Sequence, residues 1–101
     1  MKNGNQKELI SMLNECATEC KSCAESCKNM TDMKECERLC NECAQKCKQI
    51  SAQSNVSDEL YQQCAELCIV CANECAKHDN PQCKKCAEVC RKCAEACHQT
   101  A

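Results

Sequence analysis

The residues able to do chemistry in this 101-residue chain are its 17 cysteines. Cys16, Cys20, Cys23 and Cys27 form one group, Cys36, Cys40, Cys43 and Cys47 a second, and Cys64, Cys68, Cys71 and Cys75 a third. Each group has the spacing C-x3-C-x2-C-x3-C. The fourth group repeats that unit in Cys86, Cys90, Cys93 and Cys97, with Cys83 added in front. Three further soft or borderline donors stand three residues outside these groups: Met30 after Cys27, Met33 before Cys36 and His78 after Cys75. Such a set is suited to disulfide chemistry, to thiol redox exchange or to soft-metal binding.

A secreted disulfide scaffold fits poorly. The cysteine count is odd, and the chain has one Gly and one Pro where such scaffolds are rich in turns. The segment from Met1 to Glu8 opens no apolar run of signal-peptide length, so a reducing, cytoplasmic setting is expected. Packing alone does not account for the pattern either, because nothing about packing prefers Cys to Leu or Val at every layer.

Metal binding fits best, and ligand softness selects the metal. Thiolate and thioether donors together favour Cu(I), whereas zinc sites close discrete tetrahedra of four ligands. Here the thiols form a continuous ladder. A buried thiolate without a counter-charge is costly, and one monovalent ion per thiolate neutralises it, so the expected capacity is on the order of one Cu(I) per cysteine. The alternatives are a zinc or general heavy-metal thiolate buffer and, in another class, a thiol redox protein.

The elements that position these residues follow from the spacing. Alternating steps of four and three place all cysteines of a group on one stripe of an α-helix. The intervening residues are mostly Glu, Lys, Gln, Asn, Arg and Ala, which suit solvated helix faces. Leu, Ile and Val together number only 11, too few for an ordinary core, so the thiols must take that place. Asn5 with Glu8 is expected to start the first helix, which runs to about Asn29; Thr31 or Asp32 caps the second, Ser57 the third, and the pair Asn80-Pro81 the fourth. Short connections make consecutive helices antiparallel, giving an all-α, up-down-up-down four-helix bundle as one domain over residues 1–101, with residues 1–5 expected to be flexible.

The stripes end differently at the two ends of that bundle. Leu9, Leu13, Ile50, Val56, Leu60 and Ala101 meet at one end as an aliphatic plug, with Tyr61 packing there and His98 solvated nearby. Met30, Met33, His78 and Cys83 meet at the other as candidate entry ligands. Ala17, Ala24, Ala44, Ala65, Ala72, Ala87 and Ala94 each follow a cysteine and permit close helix approach. The outward-facing pair Ile69-Val70 is a candidate subunit contact.

The four striped helices, His78-Asp79 in the turn before Cys83, and the run from Cys83 to Cys90 resemble the cytosolic branch of the bacterial copper storage proteins. The resemblance spans Cys16 to Cys97. It implies a bundle that binds many Cu(I) ions through inward thiolates, loads through one open end, and assembles as an oligomer, commonly a tetramer. The open-end turn of that family is often richer in histidine than Asn80-Pro81-Gln82 here. Storage without catalysis is expected, since no Ser, His or carboxylate constellation points inward. A net charge of −2 with interspersed signs offers no face for nucleic acid, and no apolar run is long enough to span a membrane.

Overall fold

The computed structural model describes the backbone of residues 2–53 and 55–100 and the side chains of residues 7–53 and 55–99. Four helices carry the fold: α1 (Lys2–Cys27), α2 (Lys34–Ser51), α3 (Asp58–Ala76) and α4 (Pro81–Thr100), with a single 3-10 turn, Thr31–Met33, ahead of α2. The domain is a rod of 44 × 18 × 18 Å. That length is what helices of about 18–26 residues span at ~1.5 Å per residue.

Two of the expected starts occur as read. The Ser57 side chain accepts from the Leu60 N–H at 3.2 Å, and Asp58 and Glu59 follow in the first turn of α3, where the helix dipole favours acids. Asn80 Oδ1 accepts from the N–H groups of Gln82 (2.8 Å) and Cys83 (3.2 Å), with Pro81 in the first helical position.

The other two differ. Helix α1 begins at Lys2, upstream of Asn5, because no proline interrupts the chain there and each added residue closes a further backbone bond; the side chain of Asn5 lies outside the described residues. Its last residue is Cys27 rather than Asn29, and Met30 N–H then donates to the Cys27 carbonyl at 3.0 Å. Neither Thr31 nor Asp32 caps α2. The preceding residue is Met33, which has no side-chain cap; its own N–H is taken by the Met30 carbonyl at 3.2 Å, so the backbone of the 3-10 turn replaces the expected side-chain oxygen.

Helix directions follow from which sulfurs meet. Between α2 and α3 the contacts run Cys47–Cys64 (3.8 Å), Cys43–Cys68 (3.5 Å), Cys40–Cys71 (3.6 Å) and Cys36–Cys75 (3.6 Å), numbers falling on one helix as they rise on the other. Between α1 and α4 they run Cys16–Cys90, Cys20–Cys86 and Cys23–Cys83, again in opposite sense. Across the diagonal, Cys16 meets Cys68 and Cys23 meets Cys75, so α1 and α3 are parallel. Neighbours are α1 with α2, α2 with α3, α3 with α4, and α4 with α1, which closes the square. This is the up-down-up-down bundle.

The core is sulfur flanked by small carbons. Every cysteine is fully buried, and the seven alanines that flank them are at most 5% exposed. Leu39 and Val89 are buried at the margins, and the partly buried Leu67 packs against the core. Burying each of Leu9, Leu13 and Ile50 at the plug contributes about 1.5–3 kcal/mol. Val56 and Leu60 are partly buried against the core and Tyr61 is buried in it, while Ala101 lies outside the described residues.

Candidate metal centre

All 17 cysteines are free thiols. Thirteen of the sulfurs link in a chain along the bundle axis, with neighbours 3.4–4.0 Å apart, from Cys43–Cys68 to Cys27–Cys83 at the mouth; Cys47 and Cys64 form a further pair at 3.8 Å on the plug side, with Cys47 within 4.8 Å of Cys43 and Cys68. Several sets bring four sulfurs within 4.8 Å of one another: Cys16, Cys43, Cys47 and Cys68; Cys16, Cys20, Cys43 and Cys90; Cys20, Cys71, Cys86 and Cys90; Cys23, Cys40, Cys75 and Cys86; and Cys23, Cys27, Cys36 and Cys83. These sets overlap, so an ion can pass from one to the next by exchanging ligands without entering water.

Electrostatics set which thiols ionise. No polar or charged side chain is buried among the described residues, so the interior offers no counter-charge to a thiolate. Burial pushes the Cys36 thiol up to about 12 and raises Cys27 and Cys83. Cys23 moves the other way, to about 7, because the thiols of Cys40 and Cys75 donate to its thiolate. Deeper in the core, hydrogen bonds from neighbouring thiols lower Cys16 and Cys71, while the same contacts raise their partners Cys20 and Cys40. Loading such a core with metal exchanges protons for cations, which removes the cost of buried charge.

The candidate entry residues occupy different depths. Met33 is buried, carried inward by the 3-10 turn, whereas Met30 is 42% exposed. His78 is partly buried, and its Nε2 lies 2.9 Å from Glu74 Oε2. Cys83 is fully buried beside Cys23. His98 is exposed, and so are Ile69 and Val70.

Some mouth residues carry no periodic signal. Glu19 on α1 accepts from Gln82 Nε2 at 3.0 Å and pairs with Lys85 at 3.5 Å, fastening the start of α4 to α1 where Cys23 meets Cys83. Glu74, the partner of His78, also pairs with Lys77. All are off the cysteine stripe, and only the packing of the helices brings Glu19 to Gln82.

A four-helix bundle whose core is a ladder of free thiols defines a class of metal-holding protein. The chain belongs to the copper storage protein family, whose profile matches residues 2–101. It is similar to the Cu(I)-bound copper storage protein BsCsp3, at 32% identity and a TM-score of 0.86 over 96% of this chain and 98% of that one. The apo copper storage protein 3 from Bacillus subtilis is 33% identical, with a TM-score of 0.84 over 94% and 97% of the two chains. A cytosolic copper storage protein from Streptomyces lividans, solved during loading with five coppers, is 29% identical with a TM-score of 0.88 over 95% and 91%. No curated protein sequence matches the chain. No helix among the described residues is long and apolar enough to cross a membrane.

Proposed function

We propose that this chain is a Cu(I) storage and sequestration protein whose 17 inward cysteines hold the ions as thiolates. The observation that carries this reading is that all 17 cysteines are free and fully buried in the core of the bundle. Monovalent copper neutralises one thiolate per ion in an interior without other charges, so capacity is on the order of one Cu(I) per cysteine. The family and the Cu(I)-bound relative support the same metal.

Copper enters at the mouth, where Met30 lies at the surface, His78 is partly buried and Met33 and Cys83 are buried, and it moves inward among overlapping thiol sets. The role is storage without catalysis, since the ligand sets close around the ion and leave no open position for a substrate. The setting is cytoplasmic, in keeping with the cytosolic relative and with thiols that must stay reduced. The protein works as a homo-oligomer, commonly a tetramer in this family, with the exposed Ile69-Val70 pair as the contact.

Anaerobic titration of the reduced protein with Cu(I) is the test. Uptake of many Cu(I) ions, approaching the number of cysteines, is expected; binding of only four or five divalent ions in preference to many Cu(I) would overturn the reading. Thiol counting after purification addresses a redox role, which requires a stable, defined set of disulfides.

A further inference from the structure

Cys83 is the cysteine that the repeated spacing does not require, and it stands where three others converge. Its sulfur lies 3.4 Å from that of Cys23, 3.8 Å from Cys27 and 3.9 Å from Cys36, and Cys23 lies 3.9 Å from Cys36. All four sulfurs fall within 4.8 Å of one another. In a tetrahedron of thiolates about Zn(II) the metal–sulfur bond is about 2.3 Å, and the sulfur–sulfur edge, about 1.63 times longer, is about 3.8 Å. The four observed distances bracket that edge.

We propose that Cys23, Cys27, Cys36 and Cys83 form a tetrahedral site for one divalent cation, Zn(II), which seals the mouth of the copper-free bundle and gives way to Cu(I) on loading. The inference builds on the metal-storage reading above. Two features single out this set. Of the five named sets it shares only Cys23 with another, whereas Cys16, Cys20, Cys43, Cys86 and Cys90 each serve two, so a tetrahedral ion in a deeper set takes ligands from its neighbour. Charge points the same way. Four thiolates around Zn(II) leave two uncompensated negative charges, which an interior without charged side chains cannot offset. At the mouth the exposed Lys28 follows Cys27; the exposed Lys84, which follows Cys83, is itself paired with Asp79 at 3.1 Å.

Assembly of the site releases the protons of whichever of the four thiols are still protonated, and it forms four metal–sulfur bonds with no change of oxidation state. The Glu19 contacts to Gln82 and Lys85 hold the start of α4 in place for it.

The test titrates the reduced, metal-free full chain anaerobically with Co(II), a spectroscopic substitute for Zn(II), and then with Zn(II), counting bound ions by native mass spectrometry. One equivalent is expected to bind ahead of all others, with the intense visible bands of a tetrahedral tetrathiolate, and Zn(II) should displace it. Cys83→Ser should weaken that first ion by about 100-fold or more, while Cys97→Ser at the plug end leaves it within about threefold. Cys27→Ser serves as a second mouth variant, and circular dichroism establishes that each variant is folded. Several equivalents binding together, or equal weakening by Cys97→Ser, would overturn the site. Cu(I) capacity measured on the same preparation separates the two readings: high capacity without a distinct first divalent ion defeats this site alone, and low capacity with it defeats copper storage alone.

Discussion

At one end of the bundle Leu9, Leu13 and Ile50, each at most 3% exposed, close the core with carbon; at the other, Cys27, Cys83 and Met33 close it with sulfur. The difference decides how each end behaves. Aliphatic side chains exclude water and cannot bind an ion, so the plug is a dead end for metal. Sulfur excludes water comparably well while empty, yet it can exchange ligands with an arriving cation. The connections match this division. The mouth is spanned by a 3-10 turn and by the short Asn80-capped link, whereas a longer connection runs to Ser57 at the plug.

Alkaline titration of the metal-free protein should produce the largest effect. The ordinary thiol value is 9, and burial holds Cys36 near 12 and also raises Cys27 and Cys83. Groups raised in the folded state give stability that is fully present below the unfolded value and is lost as pH climbs toward the folded one. Cys23 has the opposite sign, as have Cys16, Cys43, Cys64, Cys71 and Cys86: its contribution is present above about 9 and fades as pH falls through about 7, but these six are outnumbered by the eleven raised thiols. The helical circular dichroism signal should therefore persist at neutral pH and collapse between about pH 9 and 12. Amide exchange should accelerate at Cys83–Cys86 before Leu9–Leu13. Metal-loaded protein, already deprotonated, should keep its helices over the same range; metal-free protein indifferent to this pH rise would contradict the account of its core.

Leu13→Ala at the plug comes next. Truncating this buried side chain should destabilise the metal-free fold by about 2–5 kcal/mol in denaturant titration. Copper capacity should stay unchanged, since no ligand is lost. A fall in capacity matching the fall in stability would show that the plug is part of the store.

Changing Met30, Met33 and His78 together to Ala should do the reverse. Loading and removal of Cu(I), followed by stopped-flow competition with a chelator, are expected to slow by about tenfold, equivalent to ~1.4 kcal/mol of barrier. Final capacity should be nearly intact. Unaltered rates with a large loss of capacity would refute an entry role.

Helix caps give the smallest and finest comparison. Ser57→Ala at the plug and Asn80→Ala at the mouth should each cost about 1 kcal/mol, Asn80 somewhat more because it accepts two N–H groups. Only Asn80→Ala should also weaken the first divalent ion, since it frees the turn that carries Cys83. Equal weakening by both variants would mean that the mouth senses global stability rather than its own geometry.

Much of the fold is legible in the amino-acid sequence. Four-and-three spacing is a covalent fact, and a helix turns it into a stripe whatever else happens, so the placement of all 17 thiols inside followed from spacing. Ser57 and Asn80 were readable because a cap uses a residue and the backbone a few positions ahead. The caps expected from Asn5 and from Thr31 or Asp32 failed for a related reason: a local oxygen is only one way to satisfy helix N–H groups, and backbone turns or continued helix compete with it. Met30 and Met33 illustrate a further limit. Both stand three residues from a cysteine, yet the 3-10 turn buries one and leaves the other outside.

The amino-acid order by itself determined that sulfur lines the helices, that carbon gathers at one end of the stripes, and that one cysteine exceeds the repeat. Tertiary structure decided which sulfurs meet. Contacts such as Cys23 with Cys83, or Glu19 with Gln82, join residues about 60 positions apart, and their distances depend on how far one helix slides along another. Periodicity is unchanged by that slide, because a stripe looks the same from every register. Only packed alanines, the plug and the turns select one register, and with it the set of thiols that closes the mouth.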